Sequence, residues 1–337
     1  MGTLLMPIRS RLLYMFRPAD RFREQFLYGH REILIAYAGL PKQALLCGRV
    51  QHGWDLWFEG ARSFRGPNGR PARQWVWSED AARRASERGI PRVHAIGAPW
   101  LYLSKLRNSG VISPSHVKGR DVLFVPAHYG PHASVELHSH HVRTIEQYLG
   151  SPSTTVLLHG YDFVRPAIQS LYARSGIATA CAGYPAYPPS GLPPSADIGN
   201  RVHFLSHILE LMHAHTRLAT DFMGSHVFYA TNAGLPVGYW PLPETYWTAL
   251  LASHTSADRE LFLQMNEFQQ SWSRELEGAF GVSDALVSAS DRILGTSVFM
   301  SQHELKEVLA WQLGKLPESP FWQNPSLEFG HDVRCAN

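Results

Sequence analysis

The chain is predicted to fold as an α/β protein in two lobes, and three observations carry that prediction. Short unbroken apolar runs, bounded by glycine, proline or polar turns, recur from residue 31 onward, and most are followed by a stretch long enough to hold a helix. The length of 337 residues exceeds the roughly 250–300 at which a single core stops growing. Hydrophobic residues at 45% against charged ones at 18% supply apolar material for real cores and too little charge for a disordered chain.

Taken in order, the expected strands of the first lobe are Ile33–Ala38, Ala44–Val50, Gln74–Trp77 and Val93–Ile96. Unbroken runs of this kind suit strands buried on both faces of a parallel sheet. Ser78–Gly89 opens with a serine cap, carries Glu79 and Asp80 in its first turn and ends at glycine. It is expected to be the helix of a βαβ crossover. The polar stretch Lys105–Arg120 reads as the linker, which divides the chain into an N-terminal lobe over 1–115 and a C-terminal lobe over 116–337 with a helical tail.

The second lobe is expected to hold strands at Val122–Val125, Thr155–Leu158, Ile177–Cys181, Thr216–Thr220 and Pro236–Tyr239. Its expected helices are Val164–Ser175, Ile198–His215 and Gly224–Ala233, with Ala186–Ser195 a proline-rich loop. From Ser256 to Trp311 the pattern is helical, and an irregular tail follows.

Composition narrows the function classes. The formal charge of +3 arises from 31 basic and 28 acidic residues interspersed along the chain, which does not imply nucleic acid. Three scattered cysteines without CxxC spacing indicate neither a disulfide framework nor a cysteine zinc site. No window reaches the ~18 apolar residues of a membrane span, and no signal-peptide pattern is evident. The expected location is the cytoplasm. Arg9, Arg11, Arg17, Arg21 and Arg23 alternate with Leu12, Leu13, Met15, Phe16 and Phe22. Such a segment either lies on the anionic inner face of the cell membrane or packs as a helix with solvated arginines.

Ligands of open α/β sheets bind beyond the carboxyl ends of the strands, so strand-end residues are the candidates for chemistry. Gln51-His52-Gly53-Trp54-Asp55 follows the first such run. There His52 or Asp55 could serve as a general base, with Gln51, Gly53, Trp54 and, after a second strand, Trp100 on the acceptor side. His128 follows the first strand of the second lobe, with His132, Glu136, His138, His140 and His141 close behind. The spacing is not HExxH and no cysteine completes a tetrahedral set, so contact with a donor sugar or phosphate by His128 and Glu136 is the more economical reading than a metal. His159 and Tyr161 could border a nucleotide base, while Asp162 caps the next helix. Gly224, Ser225 and His226 open a helix at a strand end, where free backbone N–H groups and the helix dipole favour a phosphate. The spacing there is neither GxGxxG nor GxxxxGK[ST].

Together Gln51-His52-Gly53-Trp54, Trp77-Ser78 leading to His94-Ala95-Ile96-Gly97-Ala98-Pro99, Val125-Pro126-Ala127-His128, and Gly224-Ser225-His226 through Pro236-Val237 form an ordered series over about residues 31–240. The series resembles bacterial surface-polysaccharide glycosyltransferases of the GT-B fold, of the capsule and O-antigen type. The resemblance implies two Rossmann-like lobes with parallel sheets facing a central cleft. It also implies a nucleotide-sugar donor on the C-terminal lobe, a glycan or lipid-linked acceptor on the N-terminal one, and neither cofactor nor obligatory metal. The Glu-containing donor motif of retaining members is not evident, which points to inversion. Glycerol- or polyol-phosphate transferases of wall and capsule synthesis share a similar order of motifs. A chain that binds sugar or nucleotide without turnover is the alternative from another class.

Overall fold

The structure, a computed structural model, describes residues 28–51, 53–54, 73–87, 89–109, 120–126, 134–183, 204–243, 246, 272–309 and 311–313. His52, Asp55 and His128, the basic segment before residue 24, the loop at 186–195 and most of the linker lie outside them.

The first lobe begins with helix α1 (His30–Tyr37), where a strand was expected over Ile33–Ala38. An apolar run alone does not separate a buried helix from a buried strand. What decides here is burial of the adjacent residues Ile33, Leu34 and Ile35 together with Arg31, and closure of the last turn at Gly39, φ +62°. The Arg31 guanidinium, 2% exposed, donates to the Lys42 and Ala44 carbonyls and so fastens the helix to the next strand. The expected strand Ala44–Val50 breaks at Cys47 into β1 (Ala44–Leu46) and β2 (Gly48–Val50), which belong to different sheets. β2 runs parallel to β3 (Arg73–Val76), and after helix α2 (Glu79–Glu87), capped by the Ser78 hydroxyl, β4 (Val93–Ala95) joins β3 in parallel. Helix α3 (Pro99–Asn108) follows, with proline in its first turn where no N–H is needed.

The second lobe is a doubly wound sheet. Its strands are β5 (Val122–Val125), β6 (Thr154–Leu158), β7 (Ala178–Cys181), β8 (Arg217–Thr220), β9 (Val237–Tyr239) and β10 (Phe280–Gly281). The spatial order is β10-β9-β8-β5-β6-β7, parallel throughout except for β10 at the edge. The chain winds from β5 outward through β6 to β7, then returns to the other side of β5 for β8 and β9. That reversal puts a topological switch point between β5 and β8, the position at which open α/β sheets receive ligands. The described crossovers are α4 (Val135–Thr144), α5 (Gly160–Phe163), α6 (Pro166–Arg174), α7 (Phe204–Ala214) and α8 (Ser225–Asn232). At the amino end of the switch point Asp121 takes hydrogen bonds from Arg217 and Thr216. These hold its carboxyl below the ordinary range, Arg217 contributing most.

Beyond β10 the chain returns to the first lobe, although everything after residue 116 was expected to belong to the second. Helix α9 (Asp284–Leu294) lies against α8, and the Leu294 carbonyl at its end accepts the Ala98 N–H at 2.8 Å. Helix α10 (Gln302–Val308) opens with a full capping box, Ser301 with Glu304. β11 (Trp311–Leu313) then pairs antiparallel with β1. Tyr37 and Arg73 donate to the Met300 and Val308 carbonyls, completing the seam. Among the described residues no helix is long and apolar enough to cross a membrane.

Candidate functional site

The carboxyl ends of both parallel sheets meet at α8. On the second lobe the Thr220 hydroxyl donates to the Val125 carbonyl at 2.7 Å, joining the ends of β8 and β5 across the switch point. Asp221 follows at once, and Gly224, with extended backbone, is the N-cap residue of α8. His226 turns its ring back so that Nε2 lies 2.9 Å from the Thr220 hydroxyl. The Ser225 hydroxyl accepts the backbone N–H of Trp54 at 3.3 Å, a bond between the lobes. Ser225 therefore faces the loop after β2.

That meeting is sealed by aromatic rings. Trp100 stacks on Tyr229 with centroids 4.4 Å apart and 12° between planes, and its Nε1–H donates to Asn232. Trp54 and Phe228 meet edge to face at 5.5 Å, a geometry that aromatic quadrupoles favour. Two expected acceptor contacts change their meaning here. Trp100 is fully buried and holds the lobes together instead of meeting an acceptor. Gln51, 7% exposed, spends its carboxamide on the Trp77 N–H and the Gly53 carbonyl, so it shapes the loop. Trp54 is buried likewise, 2% exposed.

Around the switch point lies a buried polar cluster that the sequence did not assemble. His138 and His141, one turn apart on α4, point inward from the helix that follows β5, the central strand. His141 Nε2 lies 2.7 Å from Asp221 Oδ2, both side chains 1% exposed, which binds α4 to the end of β8. His138 Nδ1 meets the Tyr172 hydroxyl at 3.0 Å, and its Nε2 stands 3.6 Å from Asp162, an ion-pair separation longer than a hydrogen bond. Asp162 also faces Arg165 at 3.4 Å. Burial drives the Tyr172 hydroxyl well above its usual range, with the Asp221 and Asp162 charges adding to the effect, so it stays an O–H donor. Burial also lowers His138, against the opposing pull of Asp162. Among the described residues no group of three or more side chains has the arrangement of a metal site.

The other expected donor-side residues are dispersed. Glu136 is exposed on the first turn of α4, beyond the Ser134 cap. His159 caps α5, accepting the Tyr161 N–H at 3.3 Å, and the two rings stack at 4.9 Å. This stacked pair follows β6, the strand beside β5.

Two outcomes are expected from this geometry. A Cβ on Gly224 would stand 2.8 Å from two atoms of the His226 ring, so Gly224→Val should push the ring off Thr220. Nucleotide affinity by calorimetry should fall about tenfold or more while the unfolding midpoint holds; unchanged affinity would remove this turn from the site. Separately, burial depresses both His138 and His215. The unfolded chain then takes up protons near pH 6.5 that the folded one refuses, so stability is complete above that value and declines as pH falls below it. Denaturant midpoints should drop between about pH 7.5 and pH 5.5, and the drop should be shallower in His138→Gln.

No protein-family model matches the chain, and no curated protein matches it. Among solved structures it is similar to UDP-GlcNAc 2-epimerase from Neisseria meningitidis, solved bound to UDP-GlcNAc, with 17% identity and a TM-score of 0.31 over 67% of this chain. The chain spans 61% of the length of that enzyme.

Proposed function

We propose that the chain is an enzyme of nucleotide-sugar chemistry. It moves a sugar from a nucleotide-sugar donor to a glycan or lipid-linked acceptor of surface polysaccharide synthesis, without an obligatory metal. The observation that carries this reading is the switch point between β5 and β8, opening where α8 begins and where the loop after β2 is bonded to Ser225. Such an edge suits a nucleotide on the second lobe, and the bonded loop brings a piece of the first lobe to the same place.

In this reading Gly224, Ser225 and His226 receive the phosphates, the His159–Tyr161 pair borders the base, and His128 and Glu136 lie on the donor side. His52, oriented by Asp55, takes the proton of the acceptor hydroxyl as its oxygen bonds to the anomeric carbon. The bond to the nucleotide breaks and its electron pair leaves on the phosphate. Donors at the second lobe stabilise the charge that grows there. Support for His52 comes from its neighbours Gly53 and Trp54, which follow the carboxyl end of β2, the Trp54 N–H bonding to Ser225.

The test is nucleotide release by the purified chain from UDP-, GDP-, CDP- and CMP-activated donors, with and without acceptor and chelator. Acceptor-dependent release that ignores the chelator is the expected result. Release from a CDP-polyol alone would shift the reading to polyol-phosphate transfer, and binding without release to a non-catalytic subunit. No binding of any nucleotide would sink it.

A further inference from the structure

The carboxylate of Asp221 occupies the place where a nucleotide phosphate is least helped by negative charge. It follows β8 directly at the switch point, three residues before Gly224. Burial raises the hydroxyls of Tyr172 on one side and Tyr239 on the other, and the Asp221 charge adds to both. The side chain is nevertheless 1% exposed, with His141 Nε2 on α4 2.7 Å from its Oδ2. A carboxylate accepts and does not donate, so the bond fixes His141 with its proton on Nε2. Nδ1 is then a lone-pair nitrogen, and that buried atom has no hydrogen-bond partner among the described residues.

We propose that His141 is a positioning residue which, as the neutral Nε2–H tautomer, holds the Asp221 carboxylate down inside the sheet edge and away from the phosphates of a bound nucleotide. This rests on the nucleotide reading given above. Without the imidazole, the Asp221 carboxylate is no longer tied to α4 and opposes an anion at the switch point. Removing that charge should therefore restore the nucleotide affinity lost with the histidine.

The experiment measures binding of UDP, GDP, CDP and CMP, each separately, to the full chain and to His141→Ala, Asp221→Asn and the double variant. His141→Gln is included because its carboxamide N–H can still donate to Asp221. Whichever nucleotide binds the wild type should bind His141→Ala about tenfold more weakly or worse. His141→Gln, Asp221→Asn and the double variant should stay within about threefold of the wild type. A double variant as weak as His141→Ala, or a His141→Ala that binds normally, overturns the proposal. The imidazole proton of His141, a slowly exchanging downfield resonance, is read in the same samples without ligand. It should be present in the wild type and absent in His141→Ala; a resonance from Nδ1–H instead overturns the tautomer on which the argument stands. If the wild type binds none of the nucleotides, the nucleotide reading falls and the role of His141 falls with it, while the protected proton would still establish the bond.

Discussion

Replacing His52 by alanine is expected to lower turnover by roughly 10²–10⁴-fold, the usual worth of general base catalysis, with donor affinity nearly constant. Rate and affinity separate because the donor is proposed to sit beyond β8, whereas His52 follows the end of β2. Single-turnover rates and nucleotide titrations on the same preparation read the two effects. If affinity falls and the rate of bound donor survives, His52 belongs to the donor site and the lobes exchange roles. If neither changes, Asp55 is the next residue to carry through the same pair of measurements.

The largest loss of stability is expected at Gly295. It ends α9 with φ +72° and ψ +45°, and a Cβ there would stand 1.9 Å from the Trp77 carbonyl oxygen. That oxygen already accepts the Gly97 N–H at 3.0 Å, so it is held by the segment that follows β4. Gly295→Ala therefore adds a left-handed alanine, about 1–2 kcal/mol, to overpacking of about 1–3 kcal/mol. The unfolding midpoint should fall by on the order of 10 °C. Since the clash separates α9 from the first lobe, α9 and the residues after it should lose hydrogen-exchange protection first, and β5 through β8 last. A variant as stable as the wild type would mean that α9 does not dock on Trp77 as described.

The second lobe was legible because its strands are unbroken apolar runs. Val122–Val125 was read residue for residue, and the ends of β6, β7, β8 and β9 within a residue. Local chemistry misled where one signal had two meanings. No helix was read after Val93–Ile96, yet Pro99 opens α3, and proline in a first helical turn was the sign of it. The histidines of α4 were weighed as metal ligands; the Ser134 cap and the three-residue spacing of His138 and His141 were the marks of a helix face. The pairing of His141 with Asp221 joins positions 80 residues apart, and the pairing of β1 with β11 joins Ala44–Leu46 to Trp311–Leu313. Neither leaves a local trace, because both depend on the order in which strands return to a sheet. For the same reason Trp100 and Gln51 looked available for an acceptor until the join between the lobes enclosed them.

The central claim is that a nucleotide is received at the switch point between β5 and β8. Hydrogen exchange of the full chain, with UDP, GDP, CDP and CMP added in turn, tests it most directly. The account expects one of them to slow exchange at Asp221–Phe228 and at His159–Phe163, with β2, β3 and β4 unchanged. Protection confined to the strand ends of the first lobe, or no protection by any of the nucleotides, would contradict it.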